Sequence, residues 1–322
     1  MEVGHRAASG GCRPCATDLD TFLGQWPKYN VHAVVVVRRG KLAFERYFRG
    51  RDRRWVLSSG VVQFSPTRKH DIRSIAKSVT SLLIGVAVSE ERFPALDSSV
   101  VDFFPEYVDL RTTENARITF RHLNPMTHGL QWDETARWRD PANNERGLLE
   151  AKDPYRYVLE QPMALPPGAA FNYSGGATSL LGAALAKAVG KRIDLYAAQK
   201  LFEPLGITDF EWLCYTGSAE IAAFSALRLR PRDLAKLGQL VANDGRWNGK
   251  QVVPACWIDE STKPHVNVEA LPKVPGCGVT PMAGRPRSRA VAGAVMCCRH
   301  LCAVRLSSAC RWPSRSVLRP HN

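Results

Sequence analysis

Asp71-Ile72-Arg73-Ser74-Ile75-Ala76-Lys77-Ser78-Val79-Thr80-Ser81-Leu82-Leu83-Ile84-Gly85 is the stretch on which the fold and the chemistry turn. From Ser74 to Val88 the apolar residues Ile75, Val79, Leu82, Leu83, Val86 and Ala87 recur at helical spacing, with no proline between them. The spacing predicts a buried amphipathic helix. Ser74 and Lys77 form the only S-x-x-K in the chain. Residues three apart on a helix share a face, so the lysine amine can reach the serine hydroxyl. A serine hydroxyl is a weak nucleophile until a neighbouring base takes its proton. An amine does that only in its neutral form, which burial and nearby positive charge favour. The apolar residues around Lys77 offer burial, and Arg73 supplies a positive charge of unknown direction. The plain alternative is a polar residue at a helix start with a surface lysine one turn later.

Upstream, Val31–Val37 is a continuous β-branched run and Leu42–Phe48 a second strand-like stretch. Arg38-Arg39-Gly40-Lys41 separates them, and Gly40 can take positive φ, so the pair reads as a β-hairpin. Gly50–His70 reads as a loop rich in Arg, Ser and Gly. Downstream, helices are expected over Ala177–Val189 (closed by Gly190), Asp194–Phe202, Pro231–Asn243 and Pro254–Glu260. A lone hairpin is not stable by itself, so strands from elsewhere must complete its sheet.

Further segments then decide the family. Ile118-Thr119-Phe120-Arg121-His122-Leu123 leads into Met126-Thr127-His128-Gly129-Leu130. Pro166-Pro167-Gly168-Ala169-Ala170-Phe171-Asn172-Tyr173-Ser174 and Leu201-Phe202-Glu203-Pro204-Leu205-Gly206-Ile207 follow in order. Together with the Ser74 helix, these resemble the serine β-lactamase and penicillin-binding-protein superfamily over residues 31–263. The likeness is closest to its class C and esterase-like branch, including 6-aminohexanoate-dimer hydrolases. The resemblance implies an α/β (α+β) fold: an antiparallel sheet flanked by helices, with a mostly helical domain inserted. It also implies a cleft holding Ser74 as nucleophile, Lys77 as base and Tyr173 as proton shuttle, with Ser174 and Gly175 beside the substrate. Many relatives carry Asn two residues after the tyrosine, where this chain has Gly175. Trp132 is a candidate substrate-binding residue, and Asp133 and Glu134 beside it could line a pocket rimmed with Trp138; a solvated loop is the plainer reading for both acids. The implied substrate is a small ester or amide, and the chemistry needs no metal and no organic cofactor.

The same resemblance calls for a third element, a K-T-G or H-x-G on a strand beside the serine. Nothing after Pro264 matches it. From there periodicity ends, and residues 264–322 read as a basic Cys/Arg-rich tail, out of frame with the domain before it. Residues 1–30 read as an N-terminal extension. The C-terminal strands that would cover the hairpin are expected to be missing, which leaves an inactive remnant as an open alternative.

The formal net charge of +14 suggests a polyanionic partner. After Pro264, however, nine Lys/Arg and one Asp/Glu give +8, and the remaining 35 and 29 give only +6. Nucleic acid is therefore not an expected partner of the domain, although the tail alone could bind nucleic acid or a membrane. No run of about 18 apolar residues spans a membrane. Nor does an apolar stretch follow Met1–Gly10, so the sequence as written carries no secretory signal and reads as cytoplasmic. A misassigned start would make it periplasmic or secreted. Among nine cysteines, Cys12-x-x-Cys15 lacks a strand–turn–helix setting, and Cys297, Cys298 and Cys302 with His300 are too crowded for a structural zinc site. Cys214 and Cys256 read as packed or idle thiols.

Overall fold

The computed structural model describes residues 30–55 and 57–266, with the backbone of Ala290 and Val291. The expected hairpin is present as β1 (Ala33–Arg38) and β2 (Lys41–Tyr47), paired antiparallel with a bulge at Val36/Val37. Its turn places Arg39 at φ 52° and Gly40 at φ 74°. Two successive left-handed residues are what a tight hairpin turn requires. Among the described residues no strand pairs with the other edge of β1; the C-terminal segment expected to lack the covering strands lies mostly outside the described residues.

The segment expected to be a loop is instead a second hairpin, β3 (Arg49–Arg54) with β4 (Leu57–Gln63). Its inward positions on β3 are Gly50 and Asp52, so the period of two is real but its buried phase carries no apolar residue. Asp52 is 1% exposed and is matched by Arg68 (3.3 Å) and Arg228 (3.6 Å). Arg228 also donates to the carbonyls of Arg53 (2.7 Å) and Lys69 (3.0 Å), which fastens the hairpin to the strands beneath it. Those strands are β5 (His70–Asp71), β6 (Glu211–Trp212) and β7 (Leu227–Leu229), with β7 in the middle.

Between β5 and β6 the named elements are helical. The first, α1 (Ile75–Ser89), confirms the helix expected from Ser74, but it is more deeply set than an amphipathic pattern implies. Lys77, Thr80, Ser81 and Gly85 are buried along with the apolar residues, so α1 is the central rod of the core. The short helices α2 (Val100–Phe103), α3 (Phe120–Leu123), α4 (Asn144–Glu150) and α5 (Pro154–Leu159) follow. The long helix α6 (Gly175–Val189) packs against α1 and ends on Gly190 at φ 67°, as expected. Next, α7 (Ile193–Ala197) runs into a wider π turn over Ala198–Phe202. The chain closes with α8 (Pro231–Ala242) on β1, a small β8–β9 hairpin (Arg246–Trp247 with Lys250–Gln251), and α9 (Ala255–Thr262) on α1. Strand β10 (Pro264–Val266) pairs with β11 (Ala290–Val291). The tail's cysteine cluster and the unmatched third element lie outside the described residues, as does Cys12–Cys15. Within them, Cys214 is a half-buried free thiol and Cys256 an exposed one.

Gly85 shows how tightly α9 is seated. A Cβ there would lie 2.3 Å from the Trp257 ring. Alanine is intrinsically favoured over glycine in a helix by about 1 kcal/mol, whereas overpacking a filled core costs about 1–3 kcal/mol. Gly85→Ala is therefore expected to lower stability, read as a lower denaturant midpoint. A raised midpoint would mean that α9 yields without cost.

Candidate active site

Strand β5 delivers the chain into Ser74 under close control. Ile72 N–H donates to Leu227 carbonyl at 2.9 Å, in line with the β5–β7 ladder. Arg73 then adopts φ 50°, a left-handed conformation that a non-glycine residue holds only when its surroundings fix it. Here they do. Its N–H donates to Asp71 (3.0 Å), its guanidinium donates to Trp55 carbonyl (2.9 Å) and also pairs with Asp71 (3.5 Å). The direction of Arg73, open in the sequence, is thus set toward Trp55 and Asp71, and Asp71 offsets its charge. This kink places Ser74 at the N-cap of α1 with its hydroxyl free of any capping bond. Among the described residues the Ser74 N–H also has no acceptor, so it can serve as a donor to an incoming oxygen.

Lys77 follows on the same face, 3% exposed, with Nζ 3.3 Å from Ser74 Oγ. Nζ donates to Phe224 carbonyl at 3.1 Å and sits 4.9 Å from the ring centroid of Tyr173 and 5.2 Å from that of Phe224. No carboxylate lies within ion-pair distance of Lys77 among the described residues. The segment that runs from Ala222 into β7 acts as a rail beside α1. Thr80 donates to Ala223 carbonyl (2.9 Å), Lys77 to Phe224 carbonyl, and Leu227 carbonyl accepts from Ile72. A backbone carbonyl leaves no trace in the sequence, so Phe224 could not be singled out there.

Tyr173 is half-buried beside the amine, so Lys77 Nζ stands between Ser74 Oγ and the Tyr173 ring. Ser174 and Trp132 do not line the cleft. Ser174 is fully buried and its hydroxyl accepts from Ala177 N–H at 3.0 Å, capping α6. Trp132 is 1% exposed and packs edge-on to Tyr157, and Gly176 leaves it room: a Cβ there would lie 2.6 Å from its ring. Trp138, by contrast, is exposed. Gly175 remains at the start of α6 beside Phe224.

Two carboxylates lie near the site: Glu134, for which a solvated loop is the plainer sequence reading, and Glu145, which the sequence does not single out. Glu134 is half-buried and engaged: it accepts from the Trp132 indole at 2.7 Å and from Gly175 N–H. Its neighbour Asp133 forms the local turn, accepting from Thr135 and Ala136. Glu145, in the first turn of α4, is held above the usual carboxylate range by burial, then by the charge of Glu134; Lys77 and Arg73 pull it the other way. The W-x-E spacing at Trp132 was the available signal for Glu134. Glu145 had none. His122 and His128 have local structural partners. His122 completes a capping box with Thr119, and buried His128 accepts from Leu130 N–H at 3.0 Å.

A family model described as Beta-lactamase matches residues 28–255, which spans both the nucleophile helix and the tyrosine segment. The chain belongs to the Beta-lactamase family. Solved members share the fold at low identity. A Bacillus anthracis protein assigned as a 6-aminohexanoate-dimer hydrolase superposes with a TM-score of 0.63 at 22% identity, over 85% of this chain and 67% of that one. EstCE1, a hydrolase with promiscuous acyltransferase activity, gives 0.61 at 16% identity over 79% and 78%. The octameric penicillin-binding protein homologue of Pyrococcus abyssi gives 0.57 at 19% over 79% and 61%. No curated protein sequence matches the chain. As a Beta-lactamase family member the chain has a mixed fold of helices and antiparallel sheet, and the family's serine hydrolases set its broad functional class. No helix among the described residues is long and apolar enough to cross a membrane.

Proposed function

We propose that this chain is a serine hydrolase that cleaves an ester or amide through an acyl-enzyme on Ser74. The observation that carries the reading is the 3.3 Å approach of the buried Lys77 amine to Ser74 Oγ, with one N–H already spoken for by Phe224 carbonyl. With that N–H engaged, the lone pair of a neutral amine can turn to the serine hydroxyl. Lys77 takes the proton as Oγ bonds to the substrate carbonyl carbon. The oxyanion is met by the N–H of Ser74. Collapse breaks the bond to the leaving group, which receives the proton through Lys77 and Tyr173. Water then attacks the acyl carbon, gives its proton back along the same path, and frees the acid and Ser74. A second oxyanion donor would come from the family's third element, and loss of one such donor lowers rates by roughly 10²–10³-fold in other enzymes. A slow enzyme that acylates readily with activated substrates is therefore the expected behaviour.

The test is the intact mass of the full chain after exposure to a fluorophosphonate or an activated ester. One adduct is expected, and none on Ser74→Ala. If the folded chain takes no adduct, the reading gives way to that of an inactive relative.

A further inference from the structure

We infer that Glu134 is a positioning residue, one that sets the turn carrying Tyr173; the inference rests on the serine-hydrolase reading for its catalytic meaning. A Cβ on Gly175 would lie 2.9 Å from Glu134 Oε1 and 2.8 Å from the Phe224 ring. The carboxylate of a distant loop thus occupies the ground that a side chain at 175 would take. That same Oε1 accepts from Gly175 N–H, the first helical residue of α6 and the second after Tyr173.

The oxygen is itself held. Trp132 Nε1 donates to it at 2.7 Å, and the indole is locked in the core against Gly176 and Tyr157. On the other side of Tyr173, buried Asn172 donates to the carbonyls of Leu130 (3.3 Å) and Trp132 (3.1 Å). The loop 130–134 therefore grips both flanks of Tyr173, by Asn172 before it and Gly175 after it. A carboxylate at a helix N-terminus is also favourably placed for the helix dipole. Tyr173 has no element of its own to stiffen it: residues 171–174 are irregular, and α6 begins only at Gly175. Met126 accepts from Asn172 N–H at 2.8 Å and from Ser174 N–H at 3.5 Å; Glu134 adds the constraint at Gly175, and its geometry reaches Lys77 through the Tyr173 and Phe224 rings that flank the amine.

Positioning within about 1 Å can be worth on the order of a hundredfold in rate. The full chain is labelled at Ser74 with a fluorophosphonate across probe concentrations, and amide hydrogen exchange is followed over residues 171–178. Glu134→Ala is expected to lower the maximal labelling rate by about ten- to a hundredfold, to leave the half-saturating probe concentration in place, and to speed exchange at Gly175. Glu134→Gln keeps an acceptor for both donors and is expected to recover most of the rate and protection. If Glu134→Ala does not fold, Gly175→Ala tests the same point, since its methyl displaces the carboxylate while alanine suits the helix; the same loss is expected. Wild-type labelling and exchange in either alanine variant would overturn the inference. So would equal losses in Glu134→Gln and Glu134→Ala, which would assign the effect to charge. An unlabelled wild-type chain would sink the hydrolase reading alone, and the exchange arm would still decide whether Glu134 holds the turn.

Discussion

Lys77→Met is expected to slow acylation of Ser74 by about 10²–10⁴-fold, the usual contribution of a positioned base, while the chain stays folded. In barrier height that range is about 3–5 kcal/mol. The stability terms are smaller and oppose each other. Methionine leaves Phe224 carbonyl without its donor, a loss of about 1–3 kcal/mol. It also removes a polar amine that is 3% exposed, and replacing buried polar or charged groups by apolar ones of like size is often neutral or favourable. The rate loss should therefore appear with a denaturant midpoint close to wild type. Lys77→Arg separates proton acceptance from charge. A guanidinium stays protonated, so an electrostatic role would survive in it and a base would not. Wild-type labelling rates in Lys77→Met, or retention in Lys77→Arg, would remove Lys77 from the role of base.

The second large effect is a loss of stability between about pH 6.5 and 4.5. His70 is 1% exposed, lies against Phe64, and has its ring nitrogen 3.2 Å from that of His32. Burial, then the charges of His32, Arg228 and Arg68, bring its pKa down from 6.5 to about 3. His128 is brought down to about 4 by burial alone. For each, the folded state refuses a proton that the unfolded chain accepts. Stability is thus fully present above the unfolded value and falls as pH drops toward the folded one. At pH 4.5 the loss is on the order of 2–3 kcal/mol per histidine. Glu145, whose carboxyl is raised, works in the opposite sense and offsets part of this as it takes up its proton. Denaturant midpoints from pH 7.5 to 4.5 measure the slope. His128→Gln should flatten it by about half, and a flat wild-type profile would show that the folded chain accepts these protons.

Much of this architecture could be read before the structure, for a physical reason that differs by element. Ser74, Lys77 and the helix beneath them announce themselves because period and chemistry coincide in one short segment. The β1–β2 hairpin is legible from β-branched residues and Gly40. The β3–β4 hairpin was not, because its buried positions are Gly50 and an ion-paired Asp52, and apolar alternation is the signal a reader follows. Trp132 and Ser174 were placed at the substrate because their types suit it. Gly176 at the head of α6 makes room for Trp132 in the core, and the cap geometry draws Ser174 there. Glu134 looked like one acid in a polar loop, and only the distant Gly175 gives it a partner.

The pairing of Glu134 with Gly175 constrains the order in which this chain could change over generations. A lineage gaining a side chain at 175 would meet the carboxylate and the Phe224 ring at under 3 Å. Loss or retreat of Glu134 would have to come first, and that step alone would loosen the turn around Tyr173. Change at 134 should therefore precede any side chain at 175, a barrier to drift that arises from one missing methyl group.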